Sequence, residues 1–385
     1  MSSNKTSVYF PSLNGLRFIA ASMVIIQHYF TVFIIGDRIN TYIYKPPVKF
    51  FANSGSNGVT LFFVLSGFLI TYLLLTEYEV ENKINIKDFY IRRLLRIWPL
   101  YFFTIVISLL YAYFTSTLSA DFFLTKLILF LFFLPNIAII LYIPGGLPMQ
   151  LWSVGVEEQF YLFWPWVIRI FHKRIKWVLI SISVIFIALR FLLYSLNFTQ
   201  EPFIFKGINV FPFLNTFISN FRIDCMAIGG GFAWLLFNKH RYLKVLYSKT
   251  AQLIILIIIV VFILLGLEIP IIHHTIYSLL FGVIILNVSS NQLSLFNLKH
   301  RLFEELGKIS YGLYVFHPLM MSITEKYVRK FELSYTMELF LAFVISFSLT
   351  ILVSYLSFRY LETPFLKLKH KFSKIISGNE AQQAN

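Results

Sequence analysis

The sequence predicts an all-α polytopic transmembrane bundle, and three observations carry that prediction. Charged residues make up 13% and hydrophobic residues 58% of 385 positions, whereas a soluble domain has about a quarter charged and slightly under half apolar residues. A mean hydropathy of +0.73 leaves too little polar surface for a water-facing shell. The apolar residues also come in runs of about twenty, such as Ala251 to Glu268 (AQLIILIIIVVFILLGLE), the length an α-helix needs to cross about 30 Å of hydrocarbon. Finally, the basic residues gather in short segments between these runs, as they do in loops kept on the cytoplasmic side.

Windows of about 19 residues place the apolar segments near 15–36, 57–76, 97–117, 122–141, 152–171, 176–196, 211–237, 251–268, 271–289, 309–327 and 338–360. Basic clusters fall at Lys83 to Arg96, Arg169 to Lys176, Lys239 to Lys249, Lys299 to Lys308 and after Arg359. The last four are separated by two segments each, which fits hairpins returning to one face. Three segments separate the first two clusters, and an odd number cannot return the chain to the same side. One of them therefore does not span. The candidates are 122–141, interrupted by Lys126 and Pro135-Asn136, and 152–171, which holds Glu157, Glu158 and Pro165. Non-crossing backbone at membrane depth is tolerated where it is buried or lines a cavity. The 122–151 stretch, ending in Tyr142 to Gln150 (YIPGGLPMQ), is thus expected to be partly re-entrant, which leaves about ten spans and both termini cytoplasmic in a plasma (inner) membrane. Lys326, Arg329 and Lys330 would then lie outside, an exception to the charge rule.

Residues 1–372 read as one membrane domain and 373–385 as a short polar cytoplasmic tail, too short to fold by itself. The N-terminus shows no signal-peptide pattern, so the first helix is expected to direct insertion. One cysteine, Cys225, excludes an intrachain disulfide. The net charge of +15 is distributed as topology requires rather than as a nucleic-acid surface.

Ionisable side chains within spans cost at least a few kcal/mol each, so each is a candidate for function. Arg17 and His28 are eleven residues apart, which puts them about 20° apart around a helix and about 16 Å apart along it, His28 deeper. A histidine can take up a proton near neutral pH and act as a general base. An arginine can hold a phosphate or carbonyl oxygen. Arg92 and Arg96 share a helical face, with Arg93 alongside, and could grip the phosphates of a cytosolic donor or anchor the helix at the interface. Glu157 and Glu158, behind Trp152, point about 100° apart; one is expected to face a cavity and the other to support a basic partner or the interface. Arg222 and Asp224 precede three glycines, which allow close approach of a helix or ligand; they read as paired with each other or as holding Glu157 and substrate. His317 is followed by Pro318, which weakens the local backbone bonding, and is a second mid-membrane histidine. His273-His274 read as interfacial. No zinc pattern, phosphate-cradling glycine loop or GxSxG elbow occurs.

Taken together, LNGLRFIAASMVIIQH at 13–28, GVTLFFVLSGFLIT at 58–71, FYIRRLLRIWPLYF at 89–102, LWSVGVEEQFYLFWP at 151–165, ISYGLYVFHPL at 309–319 and FRYLETPF at 358–365 resemble, in order, the motifs of the acyltransferase-3 family of membrane acyltransferases. The resemblance runs from about Leu13 to Pro364. It implies about ten helices and transfer of an acyl group, usually acetyl, from cytosolic acyl-CoA to a glycan or lipid-linked carbohydrate across the membrane. Acyl-CoA is then a co-substrate, with no other cofactor. The family's first-motif pair maps onto Arg17 and His28, its donor-side arginines onto Arg92, Arg93 and Arg96, and its buried acid onto Glu157; His317 and Glu362 match the later motifs. Asn14 stands where many members have Asp, which touches a helix-capping charge. Some members carry a further esterase-like domain, which is not expected here. His28 would act as a general base or carry the acyl group as an acyl-imidazole, with Arg17 orienting it or stabilising the oxyanion and Glu157 positioning the acceptor. The rival readings are a transporter or flippase using the same charges as a path, and a non-catalytic scaffold.

Overall fold

The computed structural model describes residues 7–10, 12–35, 46–117, 123–141, 146, 148–199, 204–205, 208–331, 333–373 and 375–377. Helix α1 (Leu13–Tyr29) continues into a wider π turn, Phe30–Ile35. Two long helices follow, α2 (Pro46–Glu81) and α3 (Ile86–Phe114). Asn85 starts α3 by accepting the Asp88 N–H at 3.2 Å, the role a short polar side chain plays at a helix N-cap. Next come α4 (Phe123–Leu131), α5 (Pro135–Ile140), α6 (Trp152–Phe171) and α7 (Ile175–Thr199). The second half holds α8 (Val210–Phe221), α9 (Ile223–Phe237), the short α10 (Leu243–Leu246), α11 (Lys249–Leu265) and α12 (His273–Ser290). It closes with α13 (Arg301–Lys308), α14 (Ser310–Val328), α15 (Tyr335–Ser357) and α16 (Thr363–Lys369).

Among the described residues five helical stretches are long and apolar enough to cross a bilayer: Leu13–Phe33, Asn53–Glu81, Ile86–Phe114, Met149–Leu196 and Thr336–Lys369. Their outward faces are apolar, with Phe103, Val106 and Leu110 exposed on α3 and Leu162, Trp166 and Ile170 on α6. These side chains recur every three or four residues, so each helix turns one greasy stripe outward. The chain is a multi-pass membrane protein.

Two expected segments are not continuous helices. The 122–141 window breaks at Phe132–Leu134, where Phe133 has φ 57°. Its halves, nine and six residues long, reach only about 14 and 9 Å. Neither can cross, in keeping with a segment that enters without spanning; residues 142–145 and 147 of the expected re-entrant wall lie outside the described residues. The 211–237 window was expected as one span. It is divided at Arg222, whose φ of 40° is left-handed, because that guanidinium is drawn sideways onto α2.

At the centre, α2 crosses α9 with backbones nearly touching. A Cβ on Gly67 would lie 1.9 Å from the Met226 carbonyl oxygen, and one on Gly229 would lie 2.2 Å from that of Val64. Small residues at such crossings replace the hydrophobic force that lipid cannot supply between helices. Among the described residues there are also two two-residue strand pairs. β2 (Ile204–Phe205) pairs antiparallel with β3 (Ile208–Asn209), and β1 (Ser7–Val8) runs parallel to β4 (Ile376–Ser377). The 373–385 tail, expected to be too short to fold by itself, pairs at 376–377 with the N-terminal segment; its residues 374 and 378–385 lie outside the described residues.

Candidate active site

Arg17 lies one turn into α1 and donates to the Asn14 side-chain oxygen at 3.0 Å. The asparagine at position 14 therefore bears on more than helix capping, since it leaves Arg17 with a neutral partner. Arg93 and Arg96 come from the start of α3, which the first half of α1 faces across a cavity of about 120 Å³. Arg17, Ser66, Glu157, Tyr161, Tyr311 and Tyr314 share its wall with both arginines. The Glu157 carboxylate accepts from Ser66 Oγ at 2.9 Å and from the Tyr161 hydroxyl at 3.1 Å. Among the described residues none of the three arginines has an ion-pair partner. Arg93 instead stacks between the Phe89 and Tyr161 rings, each 5.7 Å from its guanidinium carbon.

Arg92 does not join them. Its guanidinium pairs with Glu77 at 2.9 Å and donates to the Phe372 carbonyl at 2.8 Å. The shared helical face of Arg92 and Arg96 is thus split between two surroundings, because the end of α2 supplies an acid to Arg92 alone. Glu158 points away from Glu157, as its angle requires, and accepts the Trp98 indole N–H at 3.0 Å; its support is an aromatic donor rather than a basic group.

His28, deeper on α1, lines a different cavity of about 230 Å³ with Gln27, Ser56, Asn136, Trp152 and Arg222. Its Nδ1 lies 2.9 Å from the Val24 carbonyl oxygen. A carbonyl can only accept, so Nδ1 carries the proton and Nε2 keeps a free lone pair. His317 is fully buried beside it, ring centroids 4.8 Å apart. Its Nδ1 also meets a carbonyl, that of Leu313 at 3.3 Å, and among the described residues its Nε2 has no hydrogen-bond partner.

Tyr314 stands between the chambers and lines both. Its hydroxyl, 2.7 Å from Ser153 Oγ, donates to the Gln150 carbonyl at 2.7 Å, so the start of α6 clamps this ring from α14 in place.

Arg222 and Asp224 are not paired with each other, nor does either hold Glu157. Arg222 donates to the Ser56 carbonyl and the Ser56 hydroxyl, both at 2.9 Å, and lies over the Trp152 ring. Asp224 is fully buried and bound by both terminal nitrogens of Arg190, with Thr275 donating at 3.1 Å. His273 and His274 are docked on α2 rather than left at the interface: His273 meets Asn57 at 3.0 Å and His274 meets Thr60 at 2.9 Å. Glu362 lies in a third cavity with Arg17 and Arg96. Among the described residues no three His, Cys, Asp or Glu side chains gather to hold a metal ion.

Sequence reasoning missed Ser66, Tyr161, Tyr314 and Arg190. Three had a readable signal: Tyr161 follows Glu157 by one helical turn, Ser66 is a polar residue in an apolar span, and Arg190 is an ionisable residue inside the 176–196 apolar segment. Tyr314 had none, since its importance comes from its contacts with Gln150 and Ser153. The arrangement sets a chamber lined by three arginines beside a chamber lined by a histidine whose Nε2 keeps a lone pair, across one aromatic wall. It suits transfer of a group between two molecules arriving from opposite sides.

Comparison with known proteins agrees. The chain is 28% identical to a provisionally named O-acetyltransferase of Staphylococcus aureus strain COL, over 93% of this chain and 58% of that protein. It is 27% identical to the peptidoglycan O-acetyltransferase OatA of Listeria monocytogenes, over 93% of this chain and 56% of that one. It is 26% identical to the O-acetyltransferase OatA of S. aureus strain MRSA252, over 98% and 60%. The chain thus spans less than two thirds of the length of these relatives. No solved structure matches. The family model for the acyltransferase domain matches residues 10–359, so the chain belongs to the acyltransferase-3 family of membrane acyltransferases.

Proposed function

We propose that the protein is a membrane O-acetyltransferase that moves an acetyl group from cytosolic acetyl-CoA to a hydroxyl of a cell-surface or exported carbohydrate. The observation that carries this reading is the pair of chambers meeting at Tyr314, one with Arg17, Arg93 and Arg96 and the other with His28. The basic cluster at Lys83 to Arg96 supports an arginine chamber on the cytoplasmic side, where the thioester donor is made, with both termini on that side of the plasma membrane. Peptidoglycan, named for the Listeria relative, makes a glycan of the cell envelope the natural acceptor.

In the reaction, the thioester reaches toward His28 past Tyr314 while its anionic end stays with the arginines. His28 Nε2 takes the proton of the acceptor hydroxyl as that oxygen attacks the thioester carbonyl. The tetrahedral oxyanion then collapses, the C–S bond breaks, and the thiolate takes the proton from His28. The products are the acetyl ester and free thiol. His317, packed on the His28 ring, fixes its orientation. Arg222, held on the acceptor side by Ser56, is placed to stabilise the oxyanion, an interaction worth a few kcal/mol in a dry site.

The test is transfer of labelled acetyl from acetyl-CoA to glycan fragments by purified protein. His28→Ala is expected to lower transfer by about 10² to 10⁴-fold with donor binding retained. Full transfer by folded His28→Ala would overturn the mechanism, and a wild-type protein that neither hydrolyses nor transfers the label would point to a transporter.

A further inference from the structure

The arginine chamber does not end at Arg17. Arg17 and Arg96 also line an adjoining chamber of about 140 Å³, which opens between α1, α13, α14 and α16. There they are joined by Lys308 from the end of α13 and Lys369 from the end of α16. Four cationic side chains face one lining carboxylate, Glu362. Lys308 also reaches Glu305 at 2.7 Å, but that acid is largely exposed. Lys369 is only 7% exposed.

The wall on the N-terminal side is Val8 to Phe10, whose Tyr9 hydroxyl donates to Glu304 at 2.8 Å. Burial and the Glu304 carboxylate push that phenol above its ordinary range, so it stays a donor. The β1–β4 pair ties this wall to the segment following α16. Three distant parts of the chain thus build one cationic recess next to the reacting chamber.

We infer that this recess holds the nucleotide diphosphate end of the thioester donor, with Lys308 and Lys369 as phosphate ligands beside Arg96. Arg92 is excluded from that role because it is committed to Glu77 and Phe372 and lies outside both chambers. The pantetheine arm then runs through the smaller arginine chamber to Tyr314. The inference rests on acetyl-CoA being the donor.

The experiment measures binding of labelled acetyl-CoA and of acetyl-pantetheine, which lacks the nucleotide, to the full chain in lipid nanodiscs. Lys308→Ala and Lys369→Met are each expected to weaken acetyl-CoA about tenfold and to leave acetyl-pantetheine unchanged. Lys87→Ala, on the exposed start of α3, is the control and should alter neither. Lys308 is partly exposed, so its variant keeps the test open if Lys369→Met fails to fold. Wild-type acetyl-CoA affinity in the folded lysine variants would overturn this inference and leave the proposed function standing, as would an equal loss for both ligands. A wild-type chain that binds no acetyl-CoA would overturn the proposed function itself.

Discussion

Asp224→Asn separates support from chemistry at the break between α8 and α9. Asp224 is fully buried, Arg190 is 4% exposed, and the carboxylate accepts three hydrogen bonds, two from Arg190 and one from Thr275. The substitution keeps the shape but leaves Arg190 as an uncompensated charge in the protein interior. Breaking one partner of such a buried pair costs about 3–5 kcal/mol. For a chain of this size, with an unfolding entropy of about 0.8 kcal/mol per degree, that is roughly 4–6 °C in melting midpoint. The assay is thermal unfolding of the detergent-purified protein, followed by size-exclusion chromatography and by tryptophan fluorescence. Replacing both partners, Arg190→Met with Asp224→Leu, is expected to recover most of the loss, because two charges then leave the interior together. An unchanged midpoint in Asp224→Asn, accompanied by lost transfer, would refute the bracing role and return Asp224 to the chemistry.

The remaining predictions concern the wall and the central crossing. Tyr314→Ala removes the ring between the chambers, so the ratio of acetyl-CoA hydrolysis to acetyl transfer should rise by about tenfold as water gains the thioester; an unchanged ratio with normal folding would show that this ring is no partition. Gly67→Ala places a methyl 1.9 Å from the Met226 carbonyl oxygen, forcing α2 from α9, and should cost at least about 1–3 kcal/mol of stability. Gly231→Ala, whose added Cβ meets nothing within 4 Å, should not change the melting midpoint, and equal effects of the two would contradict the close crossing.

Several parts of the site were legible in the chain itself. The eleven-residue spacing of Arg17 and His28 determined that they share a face of α1 about 16 Å apart along it. Adjacency of Glu157 and Glu158 determined that they diverge, and Glu157 does face the cavity while Glu158 turns to Trp98. The arginines of α3 were visible as a group. Their division was not, because the acid that claims Arg92 is Glu77, on the preceding helix.

The membrane-embedded helical character follows from composition and apolar run length alone, since helix length and lipid solubility are local properties that no later folding can reverse. What each buried polar group does was decided by tertiary structure. Asp224 found Arg190 rather than Arg222, and Tyr314 became a wall by reaching Gln150 and Ser153. A hydrogen bond between residues 34 or 164 positions apart leaves no periodic trace in either stretch. In lipid every such group must find a partner within the protein, and which partner it finds depends on where the helices cross.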